Sequence, residues 1–288
     1  RKTTAPSPIL ADALSRARRL SEVLSPFHNV RRTAWRDSAI EPGERAIPEE
    51  MAIALSYNGS TYAVMMATPR DLEDFAVGFS LTERIVASPG DIESFEVIEQ
   101  DLGVELRMWL STPRAAALSE RRRFMAGPTG CGLCGIDSLS EAMRLPPAIS
   151  DGVGFSAGQV MAAVDGVADG QWLNQQTRAV HGAAFWTPAV GLVAIREDVG
   201  RHNALDKLTG ALARAEKSGE GGIAVITSRV SVELIQKAAI AKFPVLVAVS
   251  APTALAVRTA DAAGITLAAV ARKDGFEIFS HSRRIRGS

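Results

Sequence analysis

The feature that most narrows what this chain can fold into is the run of short apolar segments alternating with helical patterns across residues 190–279. Residues 192–195 form the first apolar run, followed by helical spacing through Ala204, Leu205, Leu208, Ala211 and Leu212. Residues 223–226 form a second run, which leads through 228–231 into a helix over 232–242. Pro244 introduces a third at 245–249, and the helix over 254–263 is placed to end at Gly264. Residues 265–270 make a fourth run and 276–279 a fifth. Runs this short and this uniformly apolar read as strands buried on both faces. Repeated strand–helix units of this kind predict a largely parallel sheet with helices on each side.

The first third has a different texture. Two apolar runs, 52–55 and 62–66, flank Tyr57-Asn58-Gly59. Asn-Gly between strands predicts a tight hairpin, because both residues tolerate positive φ. Thr68-Pro69-Arg70-Asp71 then reads as a helix start with a hydroxyl cap. Leu72, Phe75, Ala76 and Phe79 follow at helical spacing, with Ile85 and Val86 continuing the face. Val104, Leu106, Met108 and Leu110 alternate after Asp101-Leu102-Gly103, which predicts a second hairpin and a small α+β unit. The expected division is an extension at 1–30, the α+β unit at 31–118, a mobile loop and connector at 119–150, and the α/β domain at 151–288. Residues 1–24 are basic and weakly amphipathic; they read as a mobile extension, with a transit peptide as the alternative.

Composition removes several classes of function. The 32 Lys+Arg balance 32 Asp+Glu, so no global positive field holds this chain to nucleic acid. Hydrophobic residues make up 47%, enough for a packed core, and no apolar stretch is long enough to span a bilayer. Only two cysteines are present, which points to a reducing compartment and excludes a four-cysteine zinc site.

Those two cysteines, Cys131 and Cys134, stand at C-x-x-C spacing inside Gly127-Pro128-Thr129-Gly130-Cys131-Gly132-Leu133-Cys134-Gly135. The spacing serves half a zinc site, a dithiol switch or a nucleophilic thiolate. Four glycines in nine residues favour a thiol on a movable arm. Arg121, Arg122 and Arg123 precede it, and folded back they would stabilise a thiolate or persulfide; a solvated basic helix end is the plainer alternative. The four histidines are scattered, and none is followed two residues later by Glu, which argues against a zinc nucleobase deaminase.

A second constellation lies at the strand-to-helix turns. Glu197-Asp198-Val199-Gly200-Arg201-His202-Asn203-Ala204-Leu205-Asp206-Lys207 follows the first strand. Ligands of open α/β sheets bind at the carboxyl ends of strands, so this turn points at a pocket, with Arg201 and His202 offering polar groups; a plain helix start with acids near its N-terminus and a surface histidine is the alternative. Thr227-Ser228-Arg229-Val230-Ser231 and Ser250-Ala251-Pro252-Thr253 occupy the equivalent turns and suit either an anion or plain N-capping. Arg272-Lys273-Asp274-Gly275 reaches the same edge and suits either a cover for an anionic ligand or an ordinary charged hairpin turn, and His181 is a weaker candidate.

Taken in order, the C-G-x-C-G loop, the E-D-V-G-R-H-N-A-L-D-K run and the S-A-P-T turn closely resemble the FdhD family of formate dehydrogenase accessory sulfurtransferases. The resemblance covers about residues 47–284. It implies an α/β fold with a cytidine deaminase-like three-layer main domain, a smaller α+β N-terminal subdomain, a homodimer and a cytoplasmic location. It implies a persulfide on Cys131, with Cys134 as its partner, received from a cysteine desulfurase. The sulfur would pass to the molybdenum cofactor, Mo-bis(molybdopterin guanine dinucleotide), bound as cargo before insertion into the formate dehydrogenase catalytic subunit; no zinc is expected. The family's guanine-dinucleotide tract falls on Val270, Ala271, Arg272, Lys273, Asp274 and Gly275. Asp274 and a displaced glycine depart from its usual pattern. Arg201, His202, Ser228 and Ser250 would line the same cofactor edge. The alternative is a non-enzymatic chaperone that binds the cofactor and the apo-enzyme.

Overall fold

The structure, a computed structural model, describes residues 24–123, 146–150 and 152–287. It begins with a two-stranded antiparallel ribbon, β1 (Phe27–Arg36) and β2 (Ala39–Pro48). A four-stranded sheet follows from β3 (Met51–Tyr57), β4 (Ser60–Ala67), β5 (Ile92–Gln100) and β6 (Gly103–Leu110), in the order β4-β3-β6-β5. The β3–β4 turn is the expected tight one, with Asn58 at φ 50° and Gly59 at φ 77°. Every second residue of β6 is buried, and these face α1 (Leu72–Thr82) in one apolar cluster with Phe75 and Phe79. Helix α2 (Thr112–Arg123) leaves this subdomain.

Helix α1 does not start as the sequence suggests. Asp71 flanks it in a left-handed conformation and makes no side-chain cap. Thr68, fully buried, is committed instead to contacts with the main domain. The helix also stops at Thr82, and Arg84 turns left-handed, so Ile85 and Val86 are buried from the loop that follows.

The main domain opens with β7 (Phe155–Ser156), α3 (Ala157–Gly170) and α4 (Trp172–Thr177). It continues through β8 (His181–Thr187), β9 (Gly191–Asp198), α5 (Arg201–Arg214), β10 (Ile223–Ile226), α6 (Val232–Ile240) and β11 (Val245–Ala248). Helix α7 (Ala254–Ala262), β12 (Thr266–Arg272), β13 (Gly275–Ser280) and β14 (Ile285–Arg286) complete it. The large sheet runs β13-β12-β11-β10-β8-β9. The expectation of a largely parallel sheet is corrected here. Only β10–β11 and β11–β12 pair parallel, while β8–β10, β8–β9 and β12–β13 pair antiparallel. The strand–helix alternation specified the parallel centre, but the edges are hairpins. Strand β8 escaped notice because Gly182, Ala183 and Ala184 carry little strand propensity.

Two clusters cover the two faces of this sheet, as the period-two geometry of a strand requires. Ala224, Ile226, Leu246 and Ala248 pack with α5, α6 and α7, whereas Ile223, Val225, Val245 and Val247 pack with α3. The result is three layers. Gly264, at φ 72°, ends α7 as expected.

Helices α1 and α5 join the two units at unusually close range. A Cβ on Gly78 would lie 1.7 Å from the Asp206 carbonyl oxygen, and one on Gly210 would lie 1.9 Å from that of Asp74. Only glycine fits at either position. Among the described residues no helix is long and apolar enough to cross a membrane.

Candidate functional site at one edge of the main sheet

The register brings the sequence candidates together. Because β8 runs against both neighbours, His181 pairs with Asp198, and Ala183 pairs with Ile226. Ile226 in turn pairs with Ala248, Val247 with Ala268, and Arg272 with Gly275. The start of β8, the ends of β9 to β12 and the start of β13 therefore share one sheet edge. Arg201, His202, Ser228, Ser250 and the tract from Val270 to Gly275 all stand along it. Cys131 and Cys134 lie outside the described residues, as do the side chains of Arg121, Arg122 and Arg123.

The charged run 197–207, from the end of β9 into α5, divides into two groups of residues. Glu197 is buried, and its carboxylate accepts from the backbone N–H of Leu173 at 2.7 Å and of Asn174 at 2.8 Å, holding the start of α4. Asp198 and Lys207 form an ion pair at 2.6 Å with both side chains fully buried. Asp198 also accepts from the N–H groups of Thr68 and Gly200 and from Asn203, and Lys207 donates to the Thr68 carbonyl at 2.8 Å. Asp206 pairs with Lys237, whose ammonium also meets Glu83 at 2.9 Å. Burial opposes charge on Lys237, but Asp206 and Glu83 outweigh it and raise its pKa above the ordinary lysine value. Asp198, Asp206 and Lys207 thus tie the main domain to the small subdomain around Thr68, Thr82 and Glu83, whereas Glu197 anchors α4 within the main domain.

Arg201 and His202, in the first turn of α5, are different. Arg201 Nε and His202 Nε2 are buried and have no hydrogen-bond partner, and so are Ser231 Oγ and Glu233 Oε2 at the start of α6. Ser231 flanks α6 without a side-chain cap, whereas Thr253 caps α7 by accepting from Ala256 N–H at 3.2 Å. Plain capping thus accounts for Thr253 and not for Ser231. Glu233 is the member that sequence reading missed, since an acid in a first helical turn is ordinarily a dipole partner.

Burial, then the nearby charges of Arg201 and Lys237, push the His202 pKa down to about 4. His181 is lowered by burial and by Arg201. Both rings are therefore neutral near pH 7. A histidine depressed in the folded state binds fewer protons there than in the unfolded chain, so stability is lost as pH falls from about 6.5 toward about 4. Urea unfolding of wild type and His202→Gln at pH 7 and pH 5 checks this. The variant is expected to show a shallower loss on acidification.

The tract at the end of β12 is irregular. Val270 adopts φ 53°, rare for a β-branched residue, and the pairing with β13 shifts between Ala269 and Arg272. Its N–H donates to the Ser250 carbonyl at 3.2 Å. Ala271 is buried, and Lys273 and Asp274 form the exposed turn before Gly275. Arg272 folds back on the edge, donating to the carbonyls of Val249 and Ala271. Ser228 is buried, with its hydroxyl donating to the Arg229 carbonyl.

Comparison with known proteins agrees with this architecture. The crystal structure of a protein assigned as a formate dehydrogenase accessory protein from Desulfotalea psychrophila superposes with a TM-score of 0.70, covering 91% of this chain and all of that one. At 20% identity that likeness bears on the fold alone. The sulfur carrier protein FdhD of Agrobacterium fabrum is 54% identical over 264 residues, spanning 91% of this chain and 97% of its own length. The protein of the same name from Brucella abortus is 53% identical over 258 residues, spanning 89% and 96%. The FdhD/NarQ family model matches residues 48–286, which takes in both sheets and every turn of the shared edge. With more than half of the aligned positions identical to relatives matched along nearly their whole length, this chain belongs to the FdhD/NarQ family.

Proposed function

We propose that this chain is a sulfurtransferase for formate dehydrogenase maturation. It accepts sulfur from a cysteine desulfurase as a persulfide on Cys131 and passes it to Mo-bis(molybdopterin guanine dinucleotide) before the cofactor enters the formate dehydrogenase catalytic subunit. The observation that carries this reading is membership of a family whose relatives are named sulfur carriers, in a chain whose only two thiols form one C-x-x-C pair. The thiolate attacks the outer sulfur of the desulfurase persulfide, the S–S bond breaks, and the desulfurase thiolate leaves. Cys134 helps to position or resolve the persulfide.

The shared sheet edge supports the cofactor half of the proposal. Arg201, His202, Ser228, Ser250 and the tract Val270, Ala271, Arg272, Lys273, Asp274 and Gly275 are arranged where an α/β sheet binds ligands, and backbone strain at Val270 is of the kind stored at such sites. The reading includes a homodimer, a cytoplasmic location and kinship of the three-layer domain with cytidine deaminases.

The test supplies the purified chain with a desulfurase and labelled cysteine, then apo-formate dehydrogenase and cofactor. Label moving through the chain, with formate oxidation appearing in step, is the expected result. Activation without label on the chain would instead make it a cofactor-binding chaperone.

A further inference from the structure

We infer that the cleft between the small subdomain and the main domain, at the far end of α5 from Arg201, binds an amphipathic organic anion framed by Arg84, Glu216 and Lys242. This goes beyond the sulfur-transfer reading and does not rest on it. The cleft has a volume of about 550 Å³. Small-molecule sites of that size favour boundaries between domains. Helix α5 has 14 residues, so about 20 Å separates the cleft from the shared sheet edge.

Three helix ends meet at this cleft, those of α1, α5 and α6, and they close alike. The N–H of Ile85 donates to the Ser80 carbonyl at 2.8 Å, that of Lys217 to Leu212 at 2.9 Å, and that of Phe243 to Ala238 at 2.9 Å. Each closure holds the preceding residue in the left-handed region, with Arg84 at φ 56°, Glu216 at φ 53° and Lys242 at φ 60°. Glycine ordinarily occupies this position, because a Cβ there is strained. Helix α7 follows that rule. It closes with the N–H of Ile265 on the Ala260 carbonyl and Gly264 at φ 72°, and it does not line the cleft. The chain thus accepts strain at three ends where a charged side chain reaches the cleft. Attraction to the helix dipole accounts for Arg84 and Lys242 but not for Glu216, whose charge opposes it.

The lining defines the occupant. Leu81, Val86, Leu212 and Phe243 make it apolar, while Arg84, Arg114, Lys217 and Lys242 outnumber Glu216. Asp91 engages Arg114 at 3.1 Å, and the exposed Glu220 meets Lys242 at 3.0 Å. Arg84 and Lys217 have no ion-pair partner among the described residues. An inorganic anion would leave the apolar lining uncovered, and a neutral apolar compound would leave both cations unmatched. An acid group on an apolar body satisfies both, and Glu216 can accept from an N–H or O–H that it carries.

Fluorescence titration of the full chain with anilinonaphthalene sulfonate, and with its uncharged analogue phenylnaphthylamine, tests the assignment. Wild type is expected to bind one sulfonate per chain, more tightly than the analogue, and saturating GDP should not displace it. The double variant Arg84→Gly/Lys242→Gly is expected to weaken sulfonate binding about fivefold, the upper range for exposed ion pairs, and to leave the analogue unaffected. Its urea midpoint should hold or rise, because relief of two left-handed side chains offsets the freedom glycine gains in the unfolded chain. No saturable binding by wild type, equal binding of the analogue, displacement by GDP, or unchanged affinity in the double variant would each overturn the inference. So would a lowered urea midpoint accompanying the lost affinity, since the side chains would then serve the fold. None of these results bears on GDP binding or on sulfur transfer to Cys131, which are read separately.

Discussion

Cys131→Ala is expected to reduce transfer of labelled sulfur from a desulfurase to the background of the desulfurase alone. The proposed step needs a thiolate that attacks an outer sulfur and then keeps it, and alanine offers neither a nucleophile nor an attachment point. Cys134 does not restore the path if its role is to position or resolve the persulfide, so the loss should be complete. Guanine-nucleotide binding should stay near wild type, because Arg201, His202, Ser231 and Glu233 belong to the starts of α5 and α6 and not to the cysteine loop. Gel detection of label together with GDP calorimetry on the same preparation separates loss of chemistry from loss of fold.

The second large effect is on stability. Lys207→Met removes one partner of the fully buried Lys207–Asp198 pair and leaves the aspartate charge enclosed. Breaking such a pair from one side costs about 3–5 kcal/mol, far more than a surface ion pair is worth. Asp198 retains the N–H groups of Thr68 and Gly200 and the amide of Asn203, which softens the loss without neutralising the charge. Adding Asp198→Asn to Lys207→Met should recover much of the deficit, since no buried charge then remains. Urea unfolding of wild type, the single variant and the double variant measures the difference. A single variant as stable as wild type would show that the pair does not hold the two units together.

Much of this arrangement could be read from residues alone, where local rules act. Asn58-Gly59 specified a turn because few residues accept two positive φ values in succession. The apolar runs of β10, β11 and β12 specified a parallel core because strands buried on both faces have no polar alternation. The ribbon of β1 and β2 was not legible: its residues are largely exposed and none is buried, with Trp35 at 69%, so no buried face wrote a pattern. The roles within the run 197–207 were hidden for a related reason. Lysine and aspartate are ordinarily surface residues, and nothing local reveals that Lys207 and Asp198 lie beneath a second subdomain reached through Thr68. Sequence placed Arg201 and His202 correctly on the shared edge, but Glu233 became visible only through the missing partner of its carboxylate oxygen.

The central claim is that sulfur travels as a persulfide on Cys131. It is tested most directly by peptide mass spectrometry of the chain after incubation with a cysteine desulfurase and cysteine. The account predicts one additional sulfur atom on the peptide bearing Cys131, removed by a thiol reductant and absent from Cys131→Ala. Desulfurase turnover that leaves both Cys131 and Cys134 unmodified would contradict it.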